Sequence, residues 1–290
     1  MNAFEYLEPA TVDEALAILA EHGDDARPIA GGTALVNLMK QRLVQPAYLV
    51  GLRRLTDLST IAANGELRLG ALCTHHELEI SPHIQRAAPV LSEMLRRVAN
   101  IRVRSMATIG GALAHADPNQ DPPPVLIALD ARVVVGSRGG ERDLQVEALF
   151  TGYYETALAP GELITRIVIP AQPAASGAAF TKMLPQTQDD YATVSAAARL
   201  TVDGERIADA RVAAGSVGET PLRLRAVERA LVGQVAAPAI LRDAATLAGD
   251  EVDPLSDIRG SAAYKRAVAA VIVRRTLEQA LARARAGAPA

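Results

Sequence analysis

Residues 26–52, ARPIAGGTALVNLMKQRLVQPAYLVGL, hold the pattern that decides the fold. Arg27–Ala30 reads as a short strand that runs into the turn Gly31-Gly32-Thr33. Leu35, Leu38, Met39 and Leu43 then recur at helical spacing, which gives a second helix one apolar face. Residues 47–52, AYLVGL, read as another strand. Just upstream, Thr11 and Glu14 have the spacing of a capping box, and Val12, Ala15, Leu16 and Leu19 carry a first helix to Gly23. Helix, strand, glycine turn, helix, strand is the order of a small α/β lobe. A glycine turn between a strand and a helix start leaves unpaired N–H groups at the positive end of the helix dipole, which favours an anion.

Working outward, the pattern changes. Asn64-Gly65 sits between alternating segments and predicts a type I′ hairpin. A helical stretch from about Pro82 to Val98 leads to a second glycine turn, Thr108-Ile-Gly-Gly111. The prolines of DPPP at 121–124 precede apolar segments, a Gly139-Gly140 turn and the strand Leu163–Ile169, which ends at Pro170. Residues 170–178, PAQPAASGA, mark a domain boundary by composition. Beyond it, strands at Ala179–Leu184 and Ala192–Val202 meet a hairpin turn at Asp203-Gly204, and a further strand runs through Ala213. Three helices complete the chain. The first is capped by Thr220 with Pro221 at its first position and stops near Gly233, and the last spans about Ser261 to Arg285. Strands followed by helices predict an α+β C-terminal domain. The expected organisation is residues 1–175, in subdomains of about 1–55 and 56–175, followed by residues 176–290.

Composition narrows the function classes. With 290 residues, 30 Lys+Arg and 33 Asp+Glu, the chain is close to neutral and offers no general basic field for nucleic acid. One cysteine, Cys73, excludes an intrachain disulfide, a Cys₄ zinc site and an iron–sulfur cluster held by this chain alone. Neither a signal peptide nor an apolar run of about 20 residues is present. The expectation is a cytoplasmic protein. Lys40, Lys182 and Lys265 are the three lysines among many arginines, so each draws attention.

Most familiar sites are missing. No G-x-G-x-x-G opens a helix and no G-x-x-x-x-G-K-[ST] occurs, which removes the Rossmann and P-loop readings. Ala214-Gly-Ser216-Val-Gly218 has the outline of a nucleophile elbow, but all five histidines lie upstream of the serine, so it reads as a tight turn at a strand end. His115, Asp117 and Asp121 form a loop cluster without a recognisable ligand spacing, and adjacent His75 and His76 point to different faces. His75 is expected to cap or hydrogen-bond locally.

What remains are the two glycine turns, and they carry a resemblance. AGGTALVNLMKQRLVQPAYLV at 30–50 and VRSMATIGGALAHADPNQDPPP at 103–124 resemble the two flavin-binding motifs of the FAD-binding medium subunit of molybdenum hydroxylases. That family includes the medium chain of carbon monoxide dehydrogenase and the flavin subunit or domain of xanthine dehydrogenase. GELITRIVIP at 161–170, KMLPQTQDDYATVSAA at 182–197, VGETPLRLRAVERALVG at 217–233 and RGSAAYKRAVAAVIVRR at 259–275 match its later segments in order and spacing.

The resemblance implies a PCMH-type FAD-binding domain, in which two α/β subdomains grip a pyrophosphate, followed by an α+β domain of antiparallel sheet and helices. It places Pro28, Ile29, Ala30, Gly31, Gly32, Thr33, Ala34 and Leu35, with Thr108, Ile109, Gly110, Gly111 and Ala112, around the FAD pyrophosphate. Asp121 contacts the cofactor through a hydroxyl, Ile164 and Val98 lie beside the flavin, Lys182 lies near its pyrimidine edge and Tyr191 against the ring. Ala34 and Ser105 depart from the polar residues common there. The implied protein is an electron-transfer subunit. Its partners are a large molybdopterin subunit and a small subunit with two [2Fe–2S] clusters, in a dimer of heterotrimers, with NAD, a quinone or oxygen as external acceptor. Membrane association would come only through those partners. Alternatives are a stand-alone flavin-dependent oxidase and a flavin-free assembly subunit.

Overall fold

The computed structural model describes residues 2–187 and 190–287, so Gln188 and Asp189 of the matched segment 182–197 lie outside the described residues. The first lobe consists of β1 (Glu5–Leu7), α1 (Val12–His22), β2 (Ala26–Ile29), α2 (Leu35–Lys40) and β3 (Tyr48–Gly51). Its strands form a parallel sheet in the order β1-β3-β2. Thr11 caps α1 by accepting from the Glu14 N–H, but the Glu14 carboxylate accepts from Ala10 rather than from Thr11, so the box closes one residue early. Ala15, Leu16 and Leu19 pack with Val50 and Leu52 into the small core of this lobe. The second helix is shorter than its apolar spacing predicts. It ends at Lys40, leaving Leu43 68% exposed, and only Met39 of that face is buried.

The middle lobe carries a five-stranded antiparallel sheet. Its members are β4 (Ile61–Asn64), β5 (Glu66–Gly70), β6 (Arg132–Ser137), β7 (Gly140–Gln145) and, after the small hairpin β8 (Phe150–Gly152) and β9 (Glu155–Thr156), β10 (Leu163–Ile169). They stand in the order β4-β5-β10-β6-β7. The hairpin at Asn64-Gly65 forms, but only Gly65 has a positive φ, of 77°. A type I′ turn needs both central residues there, so the turn is of another kind. Six helices lie between β5 and β6: α3 (His75–Ile80), α4 (Pro82–Ala87), α5 (Pro89–Leu95), α6 (Ile101–Arg104), α7 (Ile109–His115) and α8 (Pro122–Ala128). The stretch expected as one helix from Pro82 is broken at Ala88, which sits at φ −148°, ψ 63° because Pro89 follows it. A short helix α9 (Val146–Leu149) follows β7.

The C-terminal sheet is the antiparallel meander β11 (Ser176–Met183), β12 (Val194–Asp203), β13 (Arg206–Gly215) and β14 (Leu222–Arg223). The helix expected to start at Pro221 does not. Residues 222–223 pair with β13, and α10 (Arg225–Leu231) begins after Leu224. Thr220 does not cap it. The carboxylate of Glu251 accepts from the Ala226 and Val227 N–H groups instead. Three further helices follow: α11 (Pro238–Thr246), α12 (Ala248–Glu251), from which that cap comes, and α13 (Ala262–Ala286), capped by Ser261.

Strand alternation divides this sheet between two cores. Ala179, Ala196, Ala198, Val212 and Ala214 face α13, whereas Phe180, Ala197 and Ala213 belong to the large core of the middle lobe beneath α8. On that inner face the register makes three cross-strand rows: Lys182–Ser195–Gly215, Phe180–Ala197–Ala213 and Ala178–Arg199–Arg211. The middle row is apolar. The first brings Lys182 to the end of the sheet beside the loop that precedes α8.

Candidate functional site

The first glycine turn connects β2 to α2, as the sequence predicts. Gly32 has φ +68°, a backbone region that a side chain disfavours. Gly31 is needed for a different reason. A Cβ there would lie 1.7 Å from the carbonyl oxygen of Met106, so the turn rests directly on the segment before α7. The N–H groups of Gly31, Gly32, Thr33, Ala34 and Leu35 have no acceptor among the described residues. Ala34 occupies the N-cap of α2 and offers no side-chain acceptor that could turn back on these amides. Pro28 to Leu35 are all half-buried, as expected of a wall open on one side.

The second motif is a helix start rather than a turn. Thr108 is the N-cap of α7, and its hydroxyl accepts from the Gly111 N–H at 3.1 Å. The Ile109 and Gly110 N–H groups donate to the carbonyls of Cys73 and Ala71. A Cβ on Gly110 would sit 2.5 Å from the Cβ of Ala71, so glycine serves close packing here. Gly111 is exposed and Ala112 half-buried, and both lie just beyond Met106, against which Gly31 rests.

Lys182 and Asp121 meet across 61 residues. The Lys182 Nζ lies 2.7 Å from Asp121 Oδ2, and both side chains are almost fully buried. Nζ also donates to the Arg97 carbonyl at 3.3 Å, next to Val98. Burial pushes the Asp121 carboxyl up to about 6, against the opposing pull of Lys182 and Arg97. Its other oxygen, Oδ1, is buried without a partner among the described residues, which suits a hydroxyl donor from a ligand.

Tyr191 is 45% exposed, with the Arg259 guanidinium 5.5 Å above its ring. Burial, and then the nearby Asp117 carboxylate, raise its phenol well above the ordinary range, and Tyr154 is raised for the same two reasons. Asp117 is itself buried and accepts from both the backbone and the side-chain amide of Asn119. Ile164 is placed differently from the rest. It is 3% exposed inside the middle core, at a register shift of β10 against β6.

His75 does not behave as expected. Thr74 caps α3, and both ring nitrogens of the buried His75 lack partners among the described residues. Burial, helped by Arg104, lowers its pKa to about 4. Ser216 closes the turn after β13 with φ +62°, its N–H donating to Pro118 in the loop that carries Asp117 and Asp121. Among the described residues no group of three or more His, Cys, Asp or Glu side chains is arranged to hold a metal ion. No helix among them is long and apolar enough to cross a membrane. Sequence reasoning missed Arg97, Arg104, Tyr154 and Arg259, which nothing local signals. Asp117 is singled out only as part of a loop cluster with His115 and Asp121, not as the carboxylate beside Tyr191 and Tyr154.

A run of free amides, a glycine-lined contact between two loops and an unpartnered carboxylate oxygen beside a buried lysine suit a long, anionic, hydroxyl-bearing cofactor. FAD has this chemistry. The family comparison agrees. Residues 2–172 match the FAD-binding domain of molybdopterin dehydrogenases, and residues 178–280 match the C-terminal domain of the CO dehydrogenase flavoprotein. The chain belongs to the FAD-binding medium-subunit family of molybdenum hydroxylases.

Its relatives sharpen the class. It is 37% identical to the carbon monoxide dehydrogenase medium chain of Afipia carboxidovorans, over 98% of this chain and 99% of that one. It is also 37% identical to the 6-hydroxypseudooxynicotine dehydrogenase complex subunit alpha of Paenarthrobacter nicotinovorans, over 98% and 96%. The carbon monoxide dehydrogenase of Hydrogenophaga pseudoflava that lacks the Mo-pyranopterin moiety contains a similar chain, with a TM-score of 0.94 and 35% identity over 97% of this chain and 98% of that one. The protein is thus a flavoprotein component of a molybdenum-containing oxidoreductase.

Proposed function

We propose that this chain carries FAD between a partner's iron–sulfur clusters and an external acceptor, within a complex that also holds a molybdopterin subunit. The five unpartnered amides from Gly31 to Leu35 carry the reading, because they form an anion site with no other occupant among the described residues. Pro28 to Leu35 would bind the pyrophosphate, and Thr108 to Ala112 would form the facing wall. Asp121 would accept from a cofactor hydroxyl through Oδ1. Val98, Ile164 and Tyr191 would border the ring. FAD, when bound, supplies the redox chemistry, accepting electrons and giving them up. Lys182 holds a fixed positive charge where reduction adds negative charge, and the loops around it exclude water from that charge.

The partners follow from chemistry as well as kinship. This chain has one cysteine, so any [2Fe–2S] clusters that supply electrons belong to another subunit. We assign a small iron–sulfur subunit and a large molybdopterin subunit, in a dimer of heterotrimers, with NAD, a quinone or oxygen as acceptor and a cytoplasmic setting. Residues 1–175 form the FAD-binding domain and residues 176–290 the C-terminal one. The test is copurification. The expected result is a complex with one FAD per copy of this chain, and with molybdenum and iron held by other subunits. Isolation of an active, metal-free single polypeptide would overturn the assignment.

A further inference from the structure

The segment between α5 and α6 has no regular structure, yet it is fixed by its carbonyl groups. Three consecutive ones face two buried cations. The Arg97 carbonyl accepts from Lys182 Nζ at 3.3 Å, and those of Val98 and Ala99 accept from Arg104 Nη1 at 3.0 Å each. Arg104 also donates through Nε to Glu79 Oε2 at 2.9 Å, and its side chain is 13% exposed. Ala99 sits at φ +41°, a left-handed conformation that a non-glycine residue keeps only when its surroundings hold it there.

We propose that Arg104 is a positioning residue for Lys182, acting through the carbonyls of Arg97 to Ala99. The inference rests on the preceding reading that Lys182 faces the flavin. Lys182 ends in a point charge on a flexible stem, so its location depends on its acceptors. Asp121 is one, and it is fixed at the start of α8. Arg97 O is the other, and it lies on the irregular segment whose next two carbonyls Arg104 holds. A guanidinium suits this task because its planar fork can serve the Glu79 carboxylate and the two carbonyls in one fixed geometry. A lysine at this position would hold the same charge without that plane. The pairing of Arg104 with Glu79 also ties the segment to α3, so the position of Lys182 is set from the middle lobe as well as from its own sheet.

The experiment measures the flavin midpoint potential in the assembled, FAD-loaded complex. Wild type is compared with Arg104→Ala, Lys182→Met and the double variant. Lys182→Met lowers the potential by removing the cation. Arg104→Ala lowers it by less, and adds no further shift in the Lys182→Met background. An Arg104→Ala potential equal to wild type, with thermal stability reduced, would overturn the proposal in favour of a purely structural tie. A shift of equal size with and without Lys182 would overturn it too, because Arg104 would then act by its own charge. If Arg104→Ala does not accumulate folded complex, Arg104→Lys carries the same comparison with the same two overturning results. A wild-type complex without flavin would instead defeat the reading on which the proposal rests.

Discussion

The two glycine motifs look alike in sequence and are built for different tasks. Between Gly31 and Leu35 the backbone keeps its amides free; at Ile109 and Gly110 it donates them to Cys73 and Ala71. The first motif leaves its donors available to a ligand, as proposed above, whereas the second spends those of Ile109 and Gly110 on a joint with residues 71–73. A glycine pair followed by a helix therefore does not by itself identify an anion site. The destination of its N–H groups does.

Substitutions can break this distinction. The largest effects belong to the two close contacts. Gly31→Ala drives a methyl into the Met106 backbone, at a cost of about 3 kcal/mol. The expected outcome is a folded protein that has lost its flavin, read from the flavin-to-protein absorbance ratio. Gly110→Ala forces apart α7 and Ala71 at a similar cost, so its melting temperature falls first. If Gly110→Ala melts like wild type yet lacks flavin, the division of tasks is wrong.

Acid separates the motifs next. The backbone N–H of His75 donates to the Ala107 carbonyl and Thr74 bridges to Thr108, so His75 lies at the joint. Its folded pKa, about 4, is below its unfolded value. Its contribution is therefore fully present above about pH 6.5 and is lost as pH falls toward 4, by on the order of 3 kcal/mol. Asp121 acts in the opposite sense. With a folded pKa raised to about 6, it takes up a proton sooner in the folded state and adds stability as pH falls from 6 toward 4. Denaturant unfolding at pH 7 and pH 4.5 isolates the histidine. The stability of His75→Leu should fall less between these pH values than that of wild type, and equal slopes would mean that the His75 ring is not held neutral by burial at the joint.

Smaller effects sharpen the comparison. Gly32→Ala meets no backbone but must hold φ near +68°, a strain of about 1 kcal/mol, so flavin affinity should weaken several-fold without a change in fold. Thr108→Ala removes a helix cap, and unfolding should show a loss of up to about 1 kcal/mol, with flavin affinity falling less than in Gly32→Ala because the Thr108 hydroxyl is already engaged by the Gly111 N–H.

Much of the architecture was legible from residues near in sequence. The cap at Thr11, the start of the last helix near Ser261, the strand from Leu163 to Ile169 and the break at Gly23 are local chemistry. Thr220-Pro221 misled because pairing with β13 took Leu222 and Arg223, and Glu251 supplied the cap from another helix. At the site, Gly31 and Gly32 could be read directly, and Lys182 stood out by its rarity. Its pairing with Asp121 and its hold on Arg97 could not be derived, because they join residues 61 and 85 positions apart. The free amides were expected of both motifs, yet only tertiary contact decides which set is spent.

The inner face of the C-terminal sheet has a consequence for exchanging parts between relatives. Phe180, Ala197 and Ala213 complete a core that starts under α8, and Pro124 approaches Gly215 so closely that a Cβ there would lie 2.8 Å from its ring. Recombination at the linker around residue 172 would therefore pair two surfaces selected against different counterparts. A working chimaera would have to take α8 and the C-terminal sheet from the same parent, so the unit of inheritance that matters for packing crosses the boundary at which the two family domains meet.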